Sequence, residues 1–180
     1  NAQKINNNDT SFFYGNDFTV CKCANQEEAA EHIRNIYLAQ VEQYGVDRVQ
    51  ILSPFRSTGA ASADQLNEVI RELVNPQTEE ADLKVGSLYF RVGDKIMQNK
   101  NSTKASNGDI GFIRGFRHDE RDGMRISIQF SPMRVVEYSM EEMGHVELAY
   151  ATTVHKAQGS EFDVVIFPLL RSHARMLTRS

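Results

Sequence analysis

The stretch LAYATTVHKAQGSEFDVVIFPL, Leu148 to Leu169, decides the fold. An apolar, strand-like run leads into a polar knot of His155, Lys156, Ala157, Gln158, Gly159, Ser160 and Glu161, and a second apolar run, Phe162 to Leu169, follows. Polar residues between two buried runs line a site at the mouth of a sheet, because the runs fix the backbone while the connection stays reachable. An ordinary polar turn would not need Thr152 and Thr153 before it or Gly159 in its middle, so the knot is the leading candidate site. Hydroxyls, an imidazole and a lysine near a strand end suit phosphate contacts, whereas Gln158 and Glu161 suit a sugar or a base edge. Spacing alone favours a hairpin across the knot, since a parallel crossover normally takes a dozen residues or more.

Upstream, the pattern is that of an α/β protein. A strand-like run, Phe18 to Lys22, precedes a helix that Asn25 can cap, with Glu28 at the third helical position; Ala30, Ile33, Tyr37, Val41 and Tyr44 follow at helical spacing, and Gly45 closes it. Val49 to Leu52 reads as a buried strand ending at Ser53-Pro54. A second helix spans Ala63 to Val74, stopped by Asn75-Pro76. The grammar then changes to short runs separated by turns: Leu88 to Val92, Lys95 to Gln98, Ile110 to Phe116, Met124 to Phe130 and Val135 to Tyr138. Ile126, Ile128 and Phe130 alternate with Arg125, Ser127 and Gln129, the mark of a half-buried antiparallel strand. Such a block suits a small barrel inserted between the second helix and the final strands.

A chain of 180 residues, 41% hydrophobic and 24% charged, has the size and composition of a soluble globular protein. No apolar run approaches the roughly 20 residues that cross a bilayer, and the polar stretch at residues 1–17 lacks a signal-peptide core, so a cytoplasmic protein without membrane contact is expected. Cys21 and Cys23 are read as reduced structural thiols, since nothing nearby completes a metal set. The net charge of −4 is uneven: Leu88 to Arg125 holds eight Lys/Arg against five Asp/Glu, an excess of +3 that leaves −7 elsewhere. A local basic field points mildly to a polyanion.

Several chemistries are excluded or weakened. A P-loop needs GxxxxGK[ST], and the chain contains no Gly-Lys pair. Asp119-Glu120 lies in a polar turn and reads as solvated rather than as an acidic metal box. Ser160, His155 and Glu161 do not make a hydrolase, because local clustering is not triad geometry and no GxSxG elbow is present. Gln98, Asn99, Lys100 and Asn101, with Asn107, Gly108 and Asp109, offer amides and a lysine on loops, although Asn and Gly are also default turn residues. Arg56 reads as an exposed loop arginine, and His32, His118, His145 and His173 carry no assigned role.

Taken together, NAQKIN (1–6), QILSPFRSTG (50–59), DQLNEVIRELVNP (64–76), FRVGDKIMQNKN (90–101), NGDIGFI (107–113) and AYATTVHKAQGSEFDVVIFPL (149–169) resemble, in order, the carboxy-terminal half of RecD-like superfamily 1 DNA helicases. The resemblance implies a RecA-like second motor domain (P-loop NTPase type, α/β) interrupted by a small SH3-like β-barrel. Its boundaries would be 1–84 for the first part of the motor domain, 85–145 for the barrel, and 146–180 for the remainder with helicase motif V. The two final runs would then share the RecA-like sheet rather than form a hairpin.

The resemblance further implies that Thr153, His155 and Lys156 face single-stranded DNA, with Gln98, Asn99, Lys100 and Asn107 on the DNA side of the insert and Arg56 on a motor-domain loop. Gln158, Gly159 and Glu161 would face ATP, bound with Mg²⁺ in the intact parent. No catalytic or metal-ligating residue is assigned to this chain. The phosphate cradle and metal ligands would lie in an upstream first motor domain of the same protein. HARMLTRS, 173–180, resembles the stretch leading into motif VI, so Arg179 is not the arginine finger and the isolated chain should be inactive. The implied function is 5′ to 3′ DNA translocation driven by ATP, with nuclease-complex subunits among the partners. The alternative is a stand-alone single-stranded nucleic-acid-binding module without motor activity.

Overall fold

The computed structural model describes residues 17–79 and 82–170. The NAQKIN stretch, the Phe12-Phe13-Tyr14 cluster and the 173–180 tail lie outside the described residues. Helix α1, Gln26–Tyr44, starts where Asn25 Oδ1 accepts the Glu28 amide at 2.8 Å, and Glu28 reaches back to the Ala24 amide at 2.6 Å. The reciprocal cap therefore closes one residue further upstream than the sequence pattern suggests. Gly45, at φ 91°, ends the helix by donating to the Val41 carbonyl. Phe18 forms an isolated bridge and no strand runs from there to Lys22, so the first expected strand is absent; Cys21 is exposed and Cys23 half-buried, both free thiols.

Strand β1, Val49–Ser53, is the centre of a three-stranded sheet and is buried along nearly its whole length. Helix α2, Ala63–Val74, has the bounds that the periodicity and Asn75-Pro76 predict. Its first amides are satisfied by the incoming loop rather than by the Ser62 side chain: Ala63 donates to the Phe55 carbonyl and Asp64 to the Arg56 carbonyl. Ile33 and Tyr37 of α1 and Leu66 and Ile70 of α2 pack against Val49 and Ile51 to form the first core.

The second unit begins with a short hairpin, β2 (Leu83–Val85) with β3 (Leu88–Phe90), whose first strand is too brief to register in sequence. Strands β4 (Lys95–Gln98), β5 (Ile110–Asp119), β6 (Gly123–Ser131), β7 (Arg134–Ser139) and β8 (Val146–Leu148) form an antiparallel sheet in the order β7-β6-β5-β4-β8, with a 3-10 turn, Glu142–His145, before β8. The expected barrel is corrected here to an open sheet, since no pairing among the described residues joins β7 to β8. Side chains occupy the β7 edge instead: Lys104 Nζ donates to the Glu137 carbonyl at 2.7 Å, and Arg134 to the Lys104 carbonyl at 2.6 Å. Gly111 allows β5 and β6 to approach, because a Cβ there would lie 2.9 Å from the Gln129 carbonyl oxygen.

The chain then returns through β9, Ala151–Thr153, and β10, Val164–Ile166. Both lie parallel to β1, one on each side, with Ser53 opposite Thr153 and Val49 opposite Val164. The knot is thus a crossover between parallel strands and not a hairpin. Leu148 packs against both cores. No helix among the described residues is long and apolar enough to cross a membrane.

Candidate nucleic-acid interface

Three loops converge beyond the carboxy ends of β1 and β9. The first follows β1: Ser53 Oγ donates to the Ala61 carbonyl at 2.7 Å and accepts the Phe55 amide, folding the loop back on itself. The Arg56 carbonyl is held by the first turn of α2, so the exposed guanidinium stands on a fixed base. The second is the knot. Thr153 accepts the amides of Lys156 and Ala157, at 3.0 and 3.2 Å, and Ser160 donates to the Ala157 carbonyl, while buried Ala157 anchors the turn. Its backbone is satisfied internally, which frees its side chains. Among the described residues, those of His155, Gln158 and Glu161 make no hydrogen bond or ion pair, and all three are exposed.

The third loop joins β4 to β5. Gln98 is buried, its amide donating to the Lys100 carbonyl at 2.7 Å and accepting from the Tyr138 hydroxyl at 3.2 Å. That side chain shapes the loop and is not free to reach a ligand. Asn99 is tied through its backbone to the His145 carbonyl, and the Asn107 amide to Asn101 Oδ1, leaving the side chains of Lys100 and Asn107 exposed. Gly108, at φ 92°, brings this loop against the knot: a Cβ there would lie 3.6 Å from the Lys156 carbonyl oxygen.

A single carboxylate spans the other two loops. Glu147, on β8, accepts Lys156 Nζ at 2.5 Å on one oxygen and Arg56 Nη2 at 3.5 Å on the other. The residues expected to meet DNA therefore assemble from three separate segments, with Gln98 in a supporting place.

The residues expected to face a nucleotide do not gather as tightly. An open concavity of ≈ 700 Å³ is lined by Leu52, Ala157, Ser160, Glu161, Phe162, Asp163 and Val165, so Glu161 lines it while Gln158 and Gly159 do not. Two carboxylates and no Lys or Arg make this wall unfit for a triphosphate, although Glu161 and Ser160 suit ribose hydroxyls or a base edge. No group of three or more His, Cys, Asp or Glu among the described residues is placed to hold a metal ion.

Sequence reasoning missed a second polar cluster, buried where the two cores meet. Asp94, fully buried, receives Arg71 through Nε at 2.8 Å and Nη2 at 2.6 Å, Asn75 at 2.9 Å, the Arg91 amide at 2.8 Å and the Tyr150 hydroxyl at 3.3 Å. Arg91 in turn binds Asp82 and Glu72. Lys95 Nζ, also buried, donates to the carbonyls of Val46 and Val49, each at 2.9 Å; burial lowers its pKa to about 7, with Asp47 opposing. Asn67 donates to the Leu148 and Ala151 carbonyls and accepts the Ala151 amide. One signal was available: Asn67 and Arg71 are four apart on the same helical stripe as Leu66 and Ile70, polar residues on a face that is otherwise buried.

Residues 66–130 match the ATP-dependent RecD-like DNA helicase SH3 domain, and residues 148–180 match the UvrD-like helicase C-terminal domain. Among curated proteins, the ATP-dependent RecD2 DNA helicase of Deinococcus radiodurans is 34% identical over 82% of this chain, and the RecBCD enzyme subunit RecD of Mycolicibacterium smegmatis is 30% identical over 67%. The chain spans about one fifth (20%) of the length of each. It belongs to the RecD-like DNA helicase family.

Proposed function

We propose that the chain is the DNA-gripping part of an ATP-dependent 5′ to 3′ DNA helicase. In this reading residues 1–84 and 146–180 form a RecA-like second motor domain, and 85–145 form its SH3-like insert. The observation that carries it is the convergence of three loops on Lys156, with Gly108 against its carbonyl and Glu147 linking it to Arg56. A strand of phosphates laid over the knot would meet the Thr153 hydroxyl, the His155 imidazole, the free donors of Lys156 and the Arg56 guanidinium, with Lys100, Asn99 and Asn107 on the neighbouring loop. Gln98 positions that loop. Glu161, which lines the open concavity beside the same crossover, would touch the sugar or base of ATP.

One short segment is therefore suited to pass strain from nucleotide to DNA. ATP and Mg²⁺ would be held mainly by an upstream first motor domain, whose closure over Glu161 would shift the grip of the knot. The name of the mycobacterial relative makes subunits of a nuclease complex further candidate partners.

Titration of fluorescent oligo(dT) against salt tests the DNA side. Replacing Lys100 and Lys156 by alanine together should lower the slope of log K against log[salt] by about 1.4, since each lost phosphate contact on a single strand is worth about 0.7. An unchanged slope would count against this surface. In the full-length helicase, Glu161→Ala should slow DNA-stimulated ATP hydrolysis while DNA affinity holds, and the reverse pattern would overturn the nucleotide-side assignment. A wall with no phosphate-binding cation also fits a stand-alone single-strand-binding module. Tight oligo(dT) binding by this chain, insensitive to an added first motor domain, would favour that second reading.

A further inference from the structure

We propose that Glu147 is a built-in competitor of the DNA backbone, a carboxylate that holds Lys156 and Arg56 together and weakens the charge they present to phosphate. The inference rests on the reading that this surface meets single-stranded DNA. Its two oxygens each take a cation from a different loop, Lys156 Nζ at 2.5 Å and Arg56 Nη2 at 3.5 Å. Val146 and Leu148, its neighbours on β8, pack into the core, so strand alternation turns Glu147 outward toward the two loops. The register of β8 against β4, with Met97 opposite Glu147, fixes the backbone from which the carboxylate projects.

The exposures rank the three groups in a way that suits competition. The Glu147 side chain is 18% exposed, that of Lys156 27% and that of Arg56 63%. The anion is therefore the innermost member, and both cations keep donors turned to solvent. Asp64 adds a second carboxylate at 3.8 Å from Arg56 Nε, so the four side chains sum to zero charge. Partly exposed pairs of this kind contribute little to stability, which leaves their effect on the local field as the larger consequence. A phosphate approaching Lys156 and Arg56 must share them with Glu147, and its release is correspondingly easier. That balance suits a surface that grips and lets go in every cycle.

Glu147→Gln keeps the side-chain shape and removes the charge. In oligo(dT) titrations at low salt it should bind about threefold to tenfold tighter than the parent, with a steeper dependence on salt. The gain should vanish when Arg56 and Lys156 are both alanine, since the coupling runs through them. A melting temperature close to the parent's establishes that the variant is folded; if it is not, Arg56→Ala and Lys156→Ala combined with Glu147→Ala supply the same cycle. Unchanged or weaker binding by Glu147→Gln would overturn the proposal and make Glu147 a clasp only. If Arg56→Ala with Lys156→Ala leaves binding untouched, the DNA-facing reading itself fails; if that pair weakens binding while Glu147→Gln does not strengthen it, only this inference fails.

Discussion

Asp94 and His155 each stand at the centre of a polar cluster, and the two clusters have opposite fates. Around Asp94, Arg71, Asn75, Arg91 and Tyr150 all direct donors at one buried carboxylate. Around His155, the backbone satisfies itself and the side chains of His155, Gln158 and Glu161 are left facing solvent. Polar residues whose partners are all internal hold a structure together, while polar residues on a rigid turn with none are available to a ligand. The buried cluster joins α2 and the entry to β9 to the antiparallel sheet, and the exposed knot follows directly from β9.

The sharpest way to break this contrast is to remove the buried anion. Asp94→Ala leaves Arg71 buried with no bidentate partner, and unfolding in urea should show a loss of about 3–5 kcal/mol. A loss under about 1 kcal/mol would mean the joint is not held by this carboxylate.

Lys95 gives a pH signature of the same joint. In the folded chain its pKa falls to about 7 because burial disfavours the charge, whereas the unfolded chain holds the proton to about 10.5. The folded state thus binds fewer protons between those values, and its stability should rise with pH across that window, by at most about 1.4 kcal/mol per pH unit. Below pH 7 the cost of charging Lys95 is fully present. Lys95→Met should flatten the rise between pH 7 and 9. Tyr37 and Tyr150, whose pKa values burial pushes up, oppose the trend only at higher pH. An identical rise in parent and variant would remove Lys95 from the joint.

The smallest expected effect on stability is at the knot. His155→Ala should leave the unfolding free energy within about 0.5 kcal/mol of the parent while weakening oligo(dT) binding. A large loss of stability would place His155 with the structural residues.

Much of the framework was legible in the sequence. The bounds of α2 followed from Leu66, Val69, Ile70 and Leu73 with the Asn75-Pro76 stop, and the alternation at Ile126 and Ile128 marked an antiparallel strand whose two isoleucines are fully buried. The crossover was not legible from spacing, because ten residues from Val154 to Asp163 serve equally for a long hairpin; parallel pairing of both runs with β1 is a long-range choice. The open sheet was read as a barrel because strand patterns carry no information on closure. The cluster at Asp94 escaped because its members are far apart in sequence, and Gly93-Asp94 has the composition of an ordinary turn. Glu147 escaped for the same reason, its two partners lying 91 and 9 residues away.

Hydrogen exchange of the backbone, with and without oligo(dT), tests most directly whether the three loops form one DNA surface. The expected result is slowed exchange in 54–62, 98–109 and 153–160 together, appearing at the same oligonucleotide concentration. Protection confined to the β5–β6 and β6–β7 turns, at 119–123 and 131–134, or to only one of the three loops, would contradict it.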